Sequence, residues 1–479
     1  MTERIDTGIC IVGAGAAGLT VAGELAARGL PVALIERGGR RAGRRSRRDN
    51  AVEDTGHPIG RASRRRRFAL GGAGRIWSGM ALELDPVDFE TRPWLEHSGW
   101  PFDERHLAPF SRRAREVLGV GDPALAGAPP SLPGGLATRP AGHSRVRFGK
   151  GVDTPPGTIL RLRAAAVRVV PQPGNRSIGR VEALGHDGTH LTLTASAFVL
   201  AAGGIEAPRL LLHSGVGGGP LGRFFADHPY VSIPISLPPG CRPPDGPTTG
   251  GHGRSLERLI VTSEDARRAG SLGGAAFLRP YRDPAIWDRP GVDAWLDLAW
   301  ALHHGDLPEG FPGVIGRAAG GIPALARAVA DRRRADPRWE LRIALEPAPD
   351  PAAGITLSAR RDALGVPLPR VEWRPGDRWR GTLERLVSGI EVAAARDGWG
   401  PLDPGRLDVP VEAGAHHMGA TRMHDSPEQG VVDADCRVHG TTNLYVAGPS
   451  VFPTYGYANP MLTVVALALR LADHLAGAA

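Results

Sequence analysis

At 479 residues, with 58 basic against 50 acidic side chains and a formal charge of +8, the chain has room for two or three domains and can bury a large core without disulfide staples. Its three cysteines, Cys10, Cys241 and Cys436, are far apart and form neither a disulfide framework nor a CxxC pair, which fits a reducing compartment. No apolar run approaches the ~20 residues of a membrane span, and the charged start MTERIDTGIC does not read as a signal peptide, so a soluble, cytoplasmic protein is expected.

Residues Thr7 to Glu36 read as β-α-β: GICIVGAGAAG is a buried strand entering a glycine turn, LTVAGELAARG an amphipathic helix with a Gly stop, and PVALIER a second buried strand. Gly13 permits the tight turn, Gly15 lets the backbone approach a pyrophosphate, and Gly18 allows close helix packing. The amides of Ala16 and Ala17 open the helix toward the phosphates. Glu36 ends the second strand where a carboxylate accepts from ribose hydroxyls. With strand, turn, helix, strand and acid all present, dinucleotide binding is expected, without separating NAD from FAD.

From Arg37 to Arg67 the sequence holds twelve arginines. No aromatic residue is interleaved among them for base stacking, so a solvated surface loop is expected rather than a nucleic-acid patch. FALGGAGRIWSGM follows, then a turn and helix in WPFDERHLAPFSRRAREVLGV. The Pro- and Gly-rich stretch Asp122–Gly142 reads as a connection. Strands AAVRVVPQ and HLTLTASAFVLAAGG lead into the helix IEAPRLLLHSG. From Asp227 to Glu412 candidate strands such as YVSIPIS and WELRIALEP alternate with turns, and a helix runs near Trp379–Asp397. This reads as a mixed domain inserted into the first. The strand NLYVAG and an apolar helix, Pro460–Leu475, close the chain. The expected organisation is a dinucleotide domain in three parts, 1–85, 151–226 and 413–479, with a connecting or cap segment at 86–150 and a substrate domain at 227–412.

Near the end stand AHHMGATRM, then GVVDADCRVHGTTNLYVAGPSVFPT, then YGYANPMLTVVALALRLADHL. With GAGAAG, LGGAGRIWSG and VLAAGGIEAPRLLL, and in this order, they resemble the glucose–methanol–choline (GMC) oxidoreductases, in particular the pyranose-oxidase-like branch. The resemblance implies an α/β fold: a Rossmann-like FAD-binding domain of the GMC and p-hydroxybenzoate-hydroxylase type, with an inserted α+β substrate domain containing an antiparallel sheet. It carries the active-site histidine to His416, three residues before Gly419, and the second active-site position to Asn459. Gly72, Ala73, Trp77 and Gly79 fall in the segment beside the flavin, Val167 at an adenine contact, and Ala202 and Gly203 at a second dinucleotide contact. Gly448 stands where many relatives carry Asp. Some relatives attach FAD covalently through a histidine at the position of Ile76, so here the implied FAD is non-covalent.

Flavin-dependent alcohol oxidation removes a hydroxyl proton and passes a hydride to the cofactor. A neutral imidazole, His416, suits the proton; Asn459 would hold the substrate oxygen. Pro460 suits the first position of a helix, whose early amides, from Met461 and Leu462, can face the charge of the reduced flavin. His417, Tyr455 and Tyr457 are further candidates for the substrate pocket. His228 in RFFADHP is expected to be structural. Cys436 and His439 alone approach ligand-pair spacing, so no metal is expected. The implied partners are an alcohol or sugar substrate, with sugar, amino sugar, glycoside and polyol as the leading class, and oxygen or another electron acceptor. An oligomer is possible. A sterol or aryl alcohol is the rival substrate, and an arginine-rich binding protein on a dinucleotide-fold scaffold the rival class.

Overall fold

Uninterrupted aliphatic runs make strands buried on both faces, and they build the first sheet of the computed structural model. The structure describes residues 2–41, 50–59, 66–121, 131–132, 134–149, 154–174, 176–235, 256–281, isolated positions between 291 and 299, 311–332, 339–396 and 409–478. Thr2–Val12 lies between Val32–Glu36 and His190–Leu200, parallel to both, with Val12 opposite Leu200. Ile159–Leu162 adds a parallel strand outside Val32–Glu36, and Leu444–Val446 pairs with the last turns of His190–Leu200. Ile178–Gly185 and Ala164–Pro171 continue the sheet antiparallel. Because the two central strands end level, the turns that follow them, Gly13–Gly15 and Ala201–Gly203, open on one crevice. Ligands of open α/β sheets bind at such a place. Helices Ala16–Ala27 and Gly203–Ser214 start there, and Met461–Ala478 packs against the first of them.

The second sheet is antiparallel, in the order Glu412–Ala413, Pro229–Ile235, Trp339–Leu345, Gly274–Pro280, Leu256–Thr262, Leu136–His143, Met80–Ala81. Alternation gives each strand two chemically different faces. Val231, Ile233, Leu341, Ile343 and Ala276 turn to one side and pack on Trp379, Leu383 and Leu386 of the helix Trp379–Arg396. Tyr230, Ser232, Arg342, Phe277 and Arg279 take the other side, toward the crevice. The stretch read as a connection, Asp122–Gly142, is not one throughout. Leu136–His143 pairs along its length with Leu256–Thr262, which satisfies backbone groups that a loop would leave to water.

A hairpin, Gly354–Arg361 with Pro367–Glu372, packs on helix Gly203–Ser214 and brings its turn to the outer end of the crevice. Among the described residues no helix is long and apolar enough to cross a membrane.

Candidate active site

A cleft of about 700 Å³ runs from the glycine turn to Asn459. At its outer end the three glycines have separable duties. Gly13 sits at φ 107°, and a Cβ there would come 2.5 Å from the carbonyl oxygen of Ala201. A Cβ on Gly18 would lie 1.9 Å from the carbonyl oxygen of Gly13. One on Gly15 would meet no protein atom within 4 Å; it would project into the cleft, at the start of helix Ala16–Ala27. Glu36 accepts from the amides of Ala14 (3.0 Å) and Gly38 (2.7 Å). Burial pushes its carboxyl up to about 7, against the pull of those amides and Arg37.

Arg37 and Arg66, at the ends of the arginine-rich stretch, depart from the solvated loop expected of it, whereas Arg40 and Arg41 are exposed. Much of that stretch, 42–49 and 60–65, lies outside the described residues. Arg66, however, is buried and pairs with Glu206 (2.9 Å), Arg37 pairs with Asp362 (3.0 Å), and Arg209 bridges Glu206 and Asp362 at 2.8 Å each. Burial alone would raise the Glu206 carboxyl, but Arg209, Arg66 and Arg37 overcome it and hold it at about 2. The guanidiniums of Arg37 and Arg66 also lie over the Phe68 ring, at 4.9 and 5.7 Å. These charges face a buried polar wall, not bulk water.

At the inner end, residues 226–228 and 414–418 run antiparallel, Ala226 bridging Met418. Ala415 interrupts them at φ 67°, a conformation uncommon for a residue with a Cβ. The buried Asp227 carboxylate accepts from the amides of both Ala415 (3.0 Å) and His416 (2.8 Å), which holds the bulge and aims His416. His228 Nε2 lies 3.0 Å from the carbonyl oxygen of Gly456, His228 Nδ1 lies 2.7 Å from His416 Nδ1, and His416 Nε2 lies 3.3 Å from Asn459 Nδ2. The Tyr230 ring lies beside that of His416, centroids 6.2 Å apart. His417 also borders the cleft, but its ring is buried and stacked on Phe225, centroids 5.9 Å apart.

Three stretches that build this cleft match known family models. Residues 153–230 and 349–468 each match a model described as GMC oxidoreductase, and 11–67 a NAD(P)-binding Rossmann-like domain. The chain is a GMC oxidoreductase. Paromamine 6'-oxidase of Streptomyces fradiae is 26% identical over 98% of this chain and 91% of that one. C-glycoside 3-oxidase of Microbacterium trichothecenolyticum is 25% identical over 67% of this chain and 54% of that one. The formate oxidase structure of Aspergillus oryzae superposes with a TM-score of 0.62 at 16% identity, covering 100% of this chain and 99% of that one, which attests the fold.

FAD is the cofactor of this oxidoreductase, and the cleft fits it: the glycine cradle is open where a Cβ would intrude, and Glu36 lines the cleft beside it. Of the expected cofactor residues, all but Gly18 and Gly79 line the cleft. Gly18 lies behind the turn. Gly79, at φ 94°, makes a turn against Ser144, whose carbonyl oxygen a Cβ would meet at 2.3 Å. Gly448 lines the cleft at φ 150°, a backbone that favours glycine over the aspartate of many relatives. Helix Met461–Ala478 begins one residue later than expected: the Pro460 carbonyl accepts its first bond, from Val464 at 2.9 Å. The first-turn amides of Met461 and Leu462 therefore have no partner within the helix.

Tyr455 and Tyr457 do not line the cleft. Both are buried behind it, Tyr455 donating to the carbonyl of Phe224 (2.8 Å) and Tyr457 accepting from Arg139 (3.2 Å). They fix the segment that carries Asn459. Sequence reading missed the opposite wall, Tyr230, Phe277, Arg279 and Arg342. The signal was present in YVSIPIS and WELRIALEP, where polar residues alternate with the aliphatic face. It also missed Asp227 and the contact of His228 with His416, which depend on a pairing between distant segments.

Proposed function

We propose that this oxidoreductase oxidises a CH–OH group of a sugar, amino sugar, glycoside or polyol, with His416 and Asn459 as its catalytic residues. The observation that carries the reading is the His416–Asn459 contact at 3.3 Å, in the cleft that also holds the glycine cradle. The sugar-type relatives support the substrate class.

Bound FAD supplies the acceptor for the hydride leaving the carbinol carbon. The protein's part is to take the hydroxyl proton and to hold the carbon in place. His228 faces a carbonyl through Nε2, so that nitrogen carries the hydrogen. Burial pushes the His228 imidazole down to about 4, so near neutrality its Nδ1 holds a lone pair. The 2.7 Å contact then requires the hydrogen on His416 Nδ1, which leaves His416 Nε2 as the basic nitrogen, beside Asn459. His416 Nε2 accepts the hydroxyl proton as the carbonyl forms, and His228 Nδ1 goes on accepting from the resulting imidazolium. The Asn459 amide hydrogen-bonds the substrate oxygen. The first-turn amides of helix Met461–Ala478 offer a positive dipole end to the charge of the reduced cofactor.

The Arg37 and Arg66 contacts favour this reading over an arginine-rich binding protein, since those side chains are spent on Asp362 and Glu206 of the protein itself. A cytoplasmic location fits the buried, free Cys10 and Cys436. Ile76 offers no nucleophile to a flavin, so acid precipitation of the reconstituted enzyme should release all the yellow colour to the supernatant. Colour retained in the pellet would contradict non-covalent binding. The reading itself is tested by anaerobic mixing of FAD-loaded protein with a panel of sugars and polyols. Bleaching of the flavin absorbance is expected with at least one of them, and a flavin that no sugar or polyol reduces refutes it.

A further inference from the structure

The wall opposite His416 carries a charge that the proposed chemistry does not use. Strand alternation puts Tyr230 and Ser232, Arg342, and Phe277 and Arg279 on the face of the antiparallel sheet that closes the cleft. Arg342 lies over the Tyr230 ring, its guanidinium carbon 4.7 Å from the centroid, and the Tyr230 ring lies 6.2 Å from that of His416. The Arg342 guanidinium thus stands one aromatic ring away from the reacting position, and Arg279 lines the same wall. Arg279 is close enough to disfavour the charge of Arg342.

Among the described residues each has one carboxylate partner, Glu340 for Arg279 and Glu412 for Arg342. Neither carboxylate lines the cleft. Glu412 is 56% exposed, so water screens much of its field. Arg342 is also held by Ser232 (2.9 Å), whereas Arg279 touches Glu340 through Nε alone. The terminal nitrogens of Arg279 have no hydrogen-bond partner among the described residues. The acidic residues that do line the cleft, Glu36 and Glu206, belong to its dinucleotide end and have partners there. Among the described residues the lining of the substrate end therefore presents cationic donors and no carboxylate, Asp227 and Glu340 being buried behind it. An ammonium group entering it would meet repulsion, while a planar oxyanion would meet a guanidinium fork with free donors.

Resting on the reading that this enzyme oxidises a sugar-like alcohol, we infer that its substrate carries an anionic group, a carboxylate or a phosphate, which Arg279 and Arg342 hold while the carbinol carbon faces His416 and Asn459. This sets the chain apart from its paromamine-oxidising relative, whose named substrate is an amine.

The test uses the FAD-loaded enzyme under anaerobic conditions, with flavin bleaching followed for glucose, glucosamine, glucuronate and glucose 6-phosphate, together with gluconate and galacturonate. At low ionic strength kcat/KM for an anionic member should exceed that of its neutral counterpart about tenfold or more, with the amino sugar poorest. The carboxylate and phosphate arms tell which oxyanion is taken. The preference should shrink as salt is raised. Arg279→Met should erase it mainly through KM, and Arg279→Lys should retain part of it. A preference for glucosamine, equal use of neutral and anionic members, or an unchanged ratio in Arg279→Met overturns the inference while leaving alcohol oxidation standing. If no member of any charge bleaches the flavin, the parent reading falls and this one with it.

Discussion

His416 stands in a chain of three contacts, and in the proposed mechanism the direction of every hydrogen in it is fixed by the Gly456 carbonyl at its far end. Replacing His228 removes the acceptor that keeps the hydrogen on His416 Nδ1. His228→Ala is expected to slow anaerobic flavin reduction by about ten- to a hundredfold and to displace its pH profile, a loss within the range for acid–base catalysis. His228→Asn, which keeps an acceptor oxygen, should retain more of the rate; equal loss in both variants would reduce His228 to a packing residue. Stability gives a second readout. A histidine in the unfolded chain titrates near 6.5, whereas burial holds His228 at about 4. Between these values the unfolded state binds the extra proton, so this group's contribution is complete above about pH 6.5 and falls as pH drops toward 4. Glu36 runs the other way. Raised to about 7, it favours the folded state below its unfolded value and loses that contribution as pH rises through 7. His228→Asn removes only the first slope. Urea denaturation should therefore show the variant's deficit at pH 8 shrinking by about 2 kcal/mol at pH 5, and a constant deficit would contradict the assignment.

The elements divide by how locally their reasons lie. The strand, glycine turn and helix of residues 2–27 were legible because every constraint sits within a few neighbouring residues: an aliphatic run, a turn and a helix start. Gly15 and Gly18 show that their duties differ. Gly15→Val should give a folded protein that does not retain FAD after gel filtration, because the added side chain fills only the cradle. Gly18→Val should lower the melting temperature itself, since its side chain would strike the Gly13 carbonyl. Similar behaviour in both variants would contradict the cradle. His416 and Asn459 could be named from motif spacing, but not their contact, which needs the Ala415 bulge, the Asp227 brace and the Tyr455–Tyr457 anchors together. The strand Leu136–His143 was hidden for another reason. LATRPAGH has little β-branched character, and its partner Leu256–Thr262 lies more than a hundred residues away. The arginine stretch misled because charge suggests solvent, whereas Arg66 finds its carboxylate, Glu206, on a helix across the cleft.

At the scale of the molecule, segments that leave the strands of the antiparallel sheet are joined behind the active site by buried ions. Arg267, fully buried, pairs with Asp85 (3.0 Å), Asp88 and Glu346 (3.2 Å), and Arg92 also grips Glu346. The Arg267 guanidinium lies 5.5 Å from the Tyr457 ring, which ties this cluster to the segment bearing Asn459. Such a cluster gains little over an apolar core, but removing one member strands the others without compensation. Arg267→Met is expected to cost about 3–5 kcal/mol in denaturant unfolding; a loss below about 1 kcal/mol would mean that water reaches the cluster. The central claim is that one of two adjacent histidines does the chemistry, and it is tested most directly by stopped-flow anaerobic reduction of FAD-loaded His416→Ala and His417→Ala with the best sugar substrate. The account predicts that His416→Ala loses about a hundredfold or more in the reduction rate, while His417→Ala stays within about tenfold of the wild type. A slow His417→Ala beside an unimpaired His416→Ala would contradict it.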